Sequence, residues 1–187
     1  MFSPRIELAI TTILESHGLR RRKAGHGFEA THVLSVALIV GDFGFTEDAI
    51  VAAVLHDTME DTTLDREVIR QRFGERVLAI VDDVTEPPKN VSWRHRKESY
   101  IERLRYSPHS ESRAVASADK IHNLSSMITG FERRGLAFAD AFTTSTDEML
   151  WYHQRVYGML VDVWDHPILD EHGRWLRRFL SATRTAR

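Results

Sequence analysis

An all-α domain is the fold class that the sequence predicts, and three observations predict it. Apolar residues recur at three- and four-residue spacing in successive segments, as in Ile6, Ala9, Ile10, Ile13 and Leu14. No segment alternates over a strand length with enrichment in β-branched residues. Residues that start or stop helices, such as Ser3-Pro4, Gly18, Gly41 and Gly74, fall between the periodic segments.

Taken in order, Ser3 caps a first helix with Pro4 at its first position, and His17-Gly18 closes it. Leu19 to Gly27 is the strongest positive cluster in the chain, with Arg20, Arg21, Arg22 and Lys23 in sequence. It reads either as a solvated surface or as a loop that neutralises phosphates, with an Arg free to stack on a base. A second helix runs from Ala30 to Gly41 and carries His32 in its first turn. Thr46 caps a third, whose run Ala49-Ile50-Val51-Ala52-Ala53-Val54-Leu55 demands burial.

Thr62-Thr63 is expected to start a helix over Leu64 to Phe73, with Gly74 separating it from Val77 to Val81. Pro87 and Pro88 enforce a loop. Ser92-Trp93 opens a strongly charged helix anchored by Tyr100, Ile101 and Leu104. After a turn at Ser107-Pro108-His109-Ser110, small residues Ala114, Ala116 and Ala118 lead to Asp119, and Arg133-Arg134-Gly135 breaks that helix. A helix through Met149 and Leu160, and a shorter one through Trp175 and Leu180, complete the chain.

Bulk properties narrow the function. With 187 residues and 42% hydrophobic content, one domain over 1–187 with a sizeable core is expected. The net charge of −2 provides no global field for nucleic acid or acidic membranes. The absence of cysteine excludes disulfides, thiolate catalysis and Cys-ligated zinc. The first residues do not form a secretory signal, and no apolar run is long enough to span a bilayer, so a cytoplasmic protein is expected.

The chemistry concentrates where the apolar third helix ends, in His56-Asp57-Thr58-Met59-Glu60-Asp61-Thr62. Buried charge is costly unless it is paired or holds a metal. Adjacent His56 and Asp57 can both reach one cation only at a helix end or bent backbone, and Glu60 and Asp61 then add two carboxylates beside it. Asp119 arrives in the same way on another small-residue helix, with Asn123 one turn on. His32, His56, Asp57 and Asp119 make an N2O2 set suited to Mn(II), Fe(II) or Zn(II), leaving coordination positions for water and a phosphate oxygen.

These residues carry a resemblance. H…HD…D resembles the HD-domain phosphohydrolases, and longer strings bring the chain nearer one branch. They are Arg22-Lys23-Ala24-Gly25, the His56 to Thr62 string, Val81-Asp82-Asp83-Val84-Thr85 and Ala118-Asp119-Lys120-Ile121-His122-Asn123-Leu124. Together they resemble the hydrolase domain of the RelA/SpoT family, which removes the 3′-diphosphate of guanosine tetra- and pentaphosphate. The motif-bearing core covers about 20–130, and the family's fold is a compact HD-domain helical bundle that uses Mn(II).

The resemblance implies His32, His56, Asp57 and Asp119 as metal ligands, and Glu60 and Asp61 as groups that orient or deprotonate the attacking water. It implies Arg22, Lys23 and Asn123 as nucleotide contacts, and Arg96-Lys97 is similar to a basic pair of stand-alone animal hydrolases. The chain departs from the pattern with Val33 where the family usually has Pro, with Lys120 where it often has Arg, and with a slightly longer loop before His32. Two other readings stay open: an HD phosphohydrolase for another nucleotide, such as NADPH or a nucleoside phosphate, and a non-catalytic nucleotide sensor.

Overall fold

A computed structural model describes residues 3–22 and 27–185. Its elements are helices α1 (Pro4–His17), α2 (Glu29–Asp42), α3 (Glu47–Leu55), α4 (Thr58–Asp61), α5 (Arg66–Phe73), α6 (Glu75–Val84), α7 (Trp93–Tyr106) and α8 (Ser110–Arg134). A 3₁₀ segment (Gly135–Ala141), α9 (Thr146–Val163) and α10 (Ile168–Thr185) follow. Among the described residues the only β pairing is an isolated bridge between Arg21 and Phe28. The all-α class is the one that the periodicity predicts.

Helix starts follow local chemistry. The Ser3 hydroxyl accepts from Ile6 N at 3.4 Å, Thr46 Oγ1 from Ala49 N at 3.3 Å, and Ser92 Oγ from His95 N at 3.3 Å. Ser145 and Glu148 close a capping box on α9. Gly74, at φ 91°, both ends α5 and precedes α6, a conformation open to glycine at little steric cost.

Two sequence expectations are corrected. Thr62 does not start a helix; its backbone is extended, and α5 begins only at Arg66, after the Asp65 carboxylate accepts from Glu67 N at 2.8 Å. The Asp65 side chain supplies the cap, while the Thr62 hydroxyl turns back on α4, donating to Thr58 O and accepting from Leu64 N. The last helix is not the shorter of the final pair, since α9 and α10 both have 18 residues. Its buried stripe of Ile168, Leu169, His172, Leu176, Phe179 and Thr183 includes polar members, and these disguise the apolar periodicity.

Helix α3 is the axis of the main core. Its small side chains are almost all buried, so α1, α2, α6 and α8 pack directly around it. The C-terminal half of α8 has its own apolar cluster, with Leu124, Met127, Ile128 and Phe131 against Phe138, Met149, Leu176 and Phe179. The 3₁₀ segment docks there because Gly130 has no side chain. A Cβ at Gly130 would lie 2.2–2.5 Å from the Phe138 ring, which is itself wedged between Phe131 and Phe142.

Alanine ordinarily gains about 1 kcal/mol over glycine inside a helix. At Gly130 the overpacking, about 1–3 kcal/mol, is expected to reverse that sign. Urea unfolding of Gly130→Ala should therefore move to lower concentration. Gly158→Ala, where a Cβ meets nothing within 4 Å, should move it upward. Parallel shifts of the two variants would refute this packing.

Candidate metal centre and active site

Helix α3 delivers the first two groups by ending. His56 and Asp57 occupy the corner between α3 and α4, still in near-helical backbone, and Thr58 Oγ1 donates to Leu55 O at 2.5 Å across it. The corner lets neighbours in sequence turn to one point, as the bent-backbone argument requires. His32 enters from the first turn of α2 and Asp119 from the middle of α8.

Donor atoms of His32, His56 and Asp119 all lie within 4.8 Å of one another. The Asp57 carboxylate joins them, 3.2 Å from His56 Nε2 and 3.4 Å from His32 Nε2. Asp119 Oδ1 is 3.2 Å from His32 Nε2 and 3.8 Å from His56 Nε2. All four predicted ligands therefore converge.

The electrostatics ask for positive charge at this point. Burial lowers the pKa of His56, but Asp57 and Asp119 outweigh it and raise the group to about 9. Burial disfavours the charged form of Asp119, yet Lys120 and the two imidazoles hold its carboxyl well below the usual range. The His56 Nδ1–H faces Ala53 O at 2.8 Å, which leaves Nε2 as the ring nitrogen that could ligate a cation. That Nε2 is buried and meets hydrogen-bond geometry with no group, although carboxylates stand nearby. An orphaned imidazole nitrogen among two carboxylates and a second imidazole fits a borderline divalent cation.

The ligands open on a cavity of about 390 Å³. The structure separates the two acids of the His56 to Thr62 string. Glu60 points inward and accepts from Glu86 N at 2.7 Å. Burial, Asp57 and Glu86 raise its pKa to about 7, against a smaller opposing effect of Lys97. Asp61 turns to the rim, 3.1 Å from Lys89 Nζ, while Arg20 donates to its main-chain oxygen at 2.9 Å.

The predicted nucleotide contacts divide similarly. Arg22 lines the cavity and donates to Asn123 Oδ1 at 2.7 Å. Asn123 Nδ2 donates to Asp119 Oδ1 at 2.5 Å, the i, i+4 pairing expected on one helix face. Arg96 and Lys97 both grip Glu86 and face the cavity. Lys23 lies outside the described residues.

Sequence reasoning missed several participants. Arg20 and Lys89 come from loops with no fixed spacing to the motifs. Lys120, buried, donates to Asp119 Oδ2 at 2.5 Å and lies 4.9 and 5.1 Å from the rings of Tyr100 and Tyr152. His122 was legible only as part of a motif string; its Nδ1 lies 2.8 Å from His32 Nδ1. Burial lowers its pKa to about 4, reinforced by the neighbouring His32 and Arg22, so it stays neutral. Part of the cavity wall is apolar, where Met127, Phe138, Phe142 and Met149 belong to one packed cluster.

Against known proteins, the model of a family described as the HD domain matches residues 9–139. The chain belongs to the HD-domain family. A guanosine-3′,5′-bis(diphosphate) 3′-pyrophosphohydrolase of Aquifex aeolicus is 40% identical over 95 residues, which is 51% of this chain and 14% of that protein. A protein of Brucella suis named GTP pyrophosphokinase rsh is 31% identical over 131 residues, 68% of this chain and 17% of that protein. The chain thus spans about one-sixth of the length of the curated relatives it matches.

Among solved structures, lmo0812 from Listeria monocytogenes EGD-e is 34% identical, with a TM-score of 0.71, covering 78% of this chain and 96% of that one. A metazoan ortholog of SpoT, described as hydrolysing ppGpp and acting in starvation responses, superposes with a TM-score of 0.75 at 21% identity. That match covers 95% of this chain and 97% of the other, and it shows that the helical bundle is the HD fold.

Proposed function

We propose that this HD-domain protein is a Mn(II)-dependent hydrolase of the 3′-diphosphate of guanosine tetra- and pentaphosphate. The observation that carries the reading is the inward carboxyl of Glu60 beside the N2O2 set, in a cavity lined by six cations: Arg20, Arg22, Lys89, Arg96, Lys97 and Lys120. The names of the relatives from Aquifex and of the metazoan structure support the same substrate.

His32, His56, Asp57 and Asp119 would hold the cation, which supplies Lewis acidity toward a phosphate oxygen when bound. Glu60 takes the proton of the attacking water, whose oxygen forms the new bond to the phosphorus next to the ribose. The bond from that phosphorus to the ribose 3′ oxygen breaks, and the oxygen leaves with a proton. Pyrophosphate and GDP or GTP are the products. Arg20 and Lys89 face the second diphosphate at the rim, where the Asp61 carboxylate lies between them and orients both, and Asn123 and Arg22 border the nucleoside. Arg96 and Lys97, neutralised in part by Glu86, line the path between, and the apolar part of the wall takes the base. An intracellular nucleotide as substrate would be in keeping with a cytoplasmic protein; no helix among the described residues is long and apolar enough to cross a membrane.

The deciding experiment is purified protein with Mn(II) on guanosine tetraphosphate, beside NADPH. Pyrophosphate release from the former, abolished by chelation, is the expected result. Orthophosphate release from NADPH alone would move the substrate to another nucleotide. Binding without turnover would make the protein a sensor.

A further inference from the structure

The guanidinium of Arg22 reaches two consecutive residues of α8. Its Nη2 donates to Asn123 Oδ1 at 2.7 Å, and its Nη1 lies 3.3 Å from His122 Nδ1. Each of these supports a different member of the N2O2 set. Asn123 Nδ2 donates to Asp119 Oδ1 at 2.5 Å, and His122 Nδ1 lies 2.8 Å from His32 Nδ1.

The donor inventory then assigns the protons. A guanidinium only donates, so with Arg22 Nη1 at 3.3 Å His122 Nδ1 is an acceptor, its proton sits on Nε2, and its one lone pair is shared between the long contact from Arg22 and the shorter one from His32. Two ring nitrogens 2.8 Å apart need one proton between them, so His32 carries it on Nδ1. His32 Nε2, which faces Asp57 and Asp119, is left with its lone pair. The Asn123 amide obeys the same logic, with oxygen toward Arg22 and nitrogen toward Asp119.

We propose that Arg22 is a positioning residue for the metal ligands, acting through His122 on the tautomer of His32 and through Asn123 on the carboxylate of Asp119. Arg22 then sets affinity for the divalent cation as well as meeting the nucleotide. Any anion that draws Arg22 away is thereby linked to metal binding, and the linkage is reciprocal. The proposal rests on the cation reading of the site and not on the choice of substrate.

Metal-depleted protein titrated with Mn(II) alone, with free Mn(II) followed by its electron paramagnetic signal, tests it. Loss of an outer partner of a ligating imidazole typically weakens metal binding by about 10–100-fold. His122→Phe is expected to show that loss, and Arg22→Ala at least about tenfold. His122→Asn keeps an acceptor near the Nδ1 position and should stay within about threefold of wild type. If His122→Phe fails to fold, Arg22→Lys carries the test. A lone ammonium lacks the planar fork that serves both acceptors, so it should weaken binding as Arg22→Ala does. Mn(II) affinity within about twofold of wild type in folded Arg22→Ala would overturn the proposal, as would His122→Asn binding as poorly as His122→Phe. Failure of the wild type to bind Mn(II) would overturn the cation reading and the proposal with it.

Discussion

His56→Ala is expected to leave neither stoichiometric Mn(II) binding nor turnover. The variant removes one of only four protein groups that meet at the site, and it does so where two carboxylates are already held ionised. The remaining imidazole, His32, cannot offset both acids. A ligand that binds only the native state at 100 times its Kd stabilises it by about 2.7 kcal/mol. Wild-type protein should therefore melt several degrees higher with saturating Mn(II), at about 2–4 °C per kcal/mol for a chain of this size. His56→Ala should show no such rise. A variant that kept one Mn(II) per chain and the wild-type rate would remove His56 from the ligand set.

Glu60→Gln should bind Mn(II) normally and lose about 10²–10⁴-fold in kcat, the usual contribution of a positioned base. Its surroundings make two further signs measurable. Glu60 faces Asp57 from the α3–α4 corner, Glu86 from the loop after α6 and Lys97 from α7, and its folded pKa is raised to about 7. In the metal-free protein the base form grows as pH rises through about 7; a cation bound beside Asp57 lowers that pKa, so the wild-type rate should climb at pH values below 7 and level off. The Gln variant should lack that limb.

Stability moves the other way. A carboxyl raised on folding favours the native state less and less as pH rises from the unfolded value through the folded one. At pH 8 the ionised Glu60 costs the metal-free protein on the order of 3 kcal/mol, from a shift to about 7. Glu60→Gln keeps an acceptor for Glu86 N and removes that charge, so its metal-free form should melt above wild type at pH 8 and equal to it at pH 4. A variant that changed KM alone, with kcat and its pH profile intact, would make Glu60 a binding group.

The candidate metal set was legible in the sequence because imidazoles and acids stand beside or within apolar and small-residue helices: His56-Asp57 where α3 ends, His32 in the first turn of α2 and Asp119 inside α8. A helix as apolar as Ala49 to Leu55 has one place to go, and whatever follows it is carried to the interior. Helix starts were legible where a side chain caps its own helix, as at Ser3, Thr46 and Ser92. They failed at Thr62, where the cap lay three residues on. The length of α10 was hidden because a buried stripe that includes His172 and Thr183 does not look apolar.

What the chain determined by itself was the kind of chemistry: helical spacing set the fold class, and the imidazoles and carboxylates carried on apolar helices set the available donor atoms. What only the tertiary structure decided was the division of labour among groups that look alike in sequence. Glu60 and Asp61 are adjacent acids, yet one turn of α4 sends the first to a desolvated interior and the second to a rim held by Arg20 and Lys89. Arg22 and His122 stand a hundred positions apart, and their meeting depends on α2 and α8 packing around the same core. Spacing within a helix is local and set by the backbone. Contact between loops and distant helices is set by packing, and only the folded chain has it.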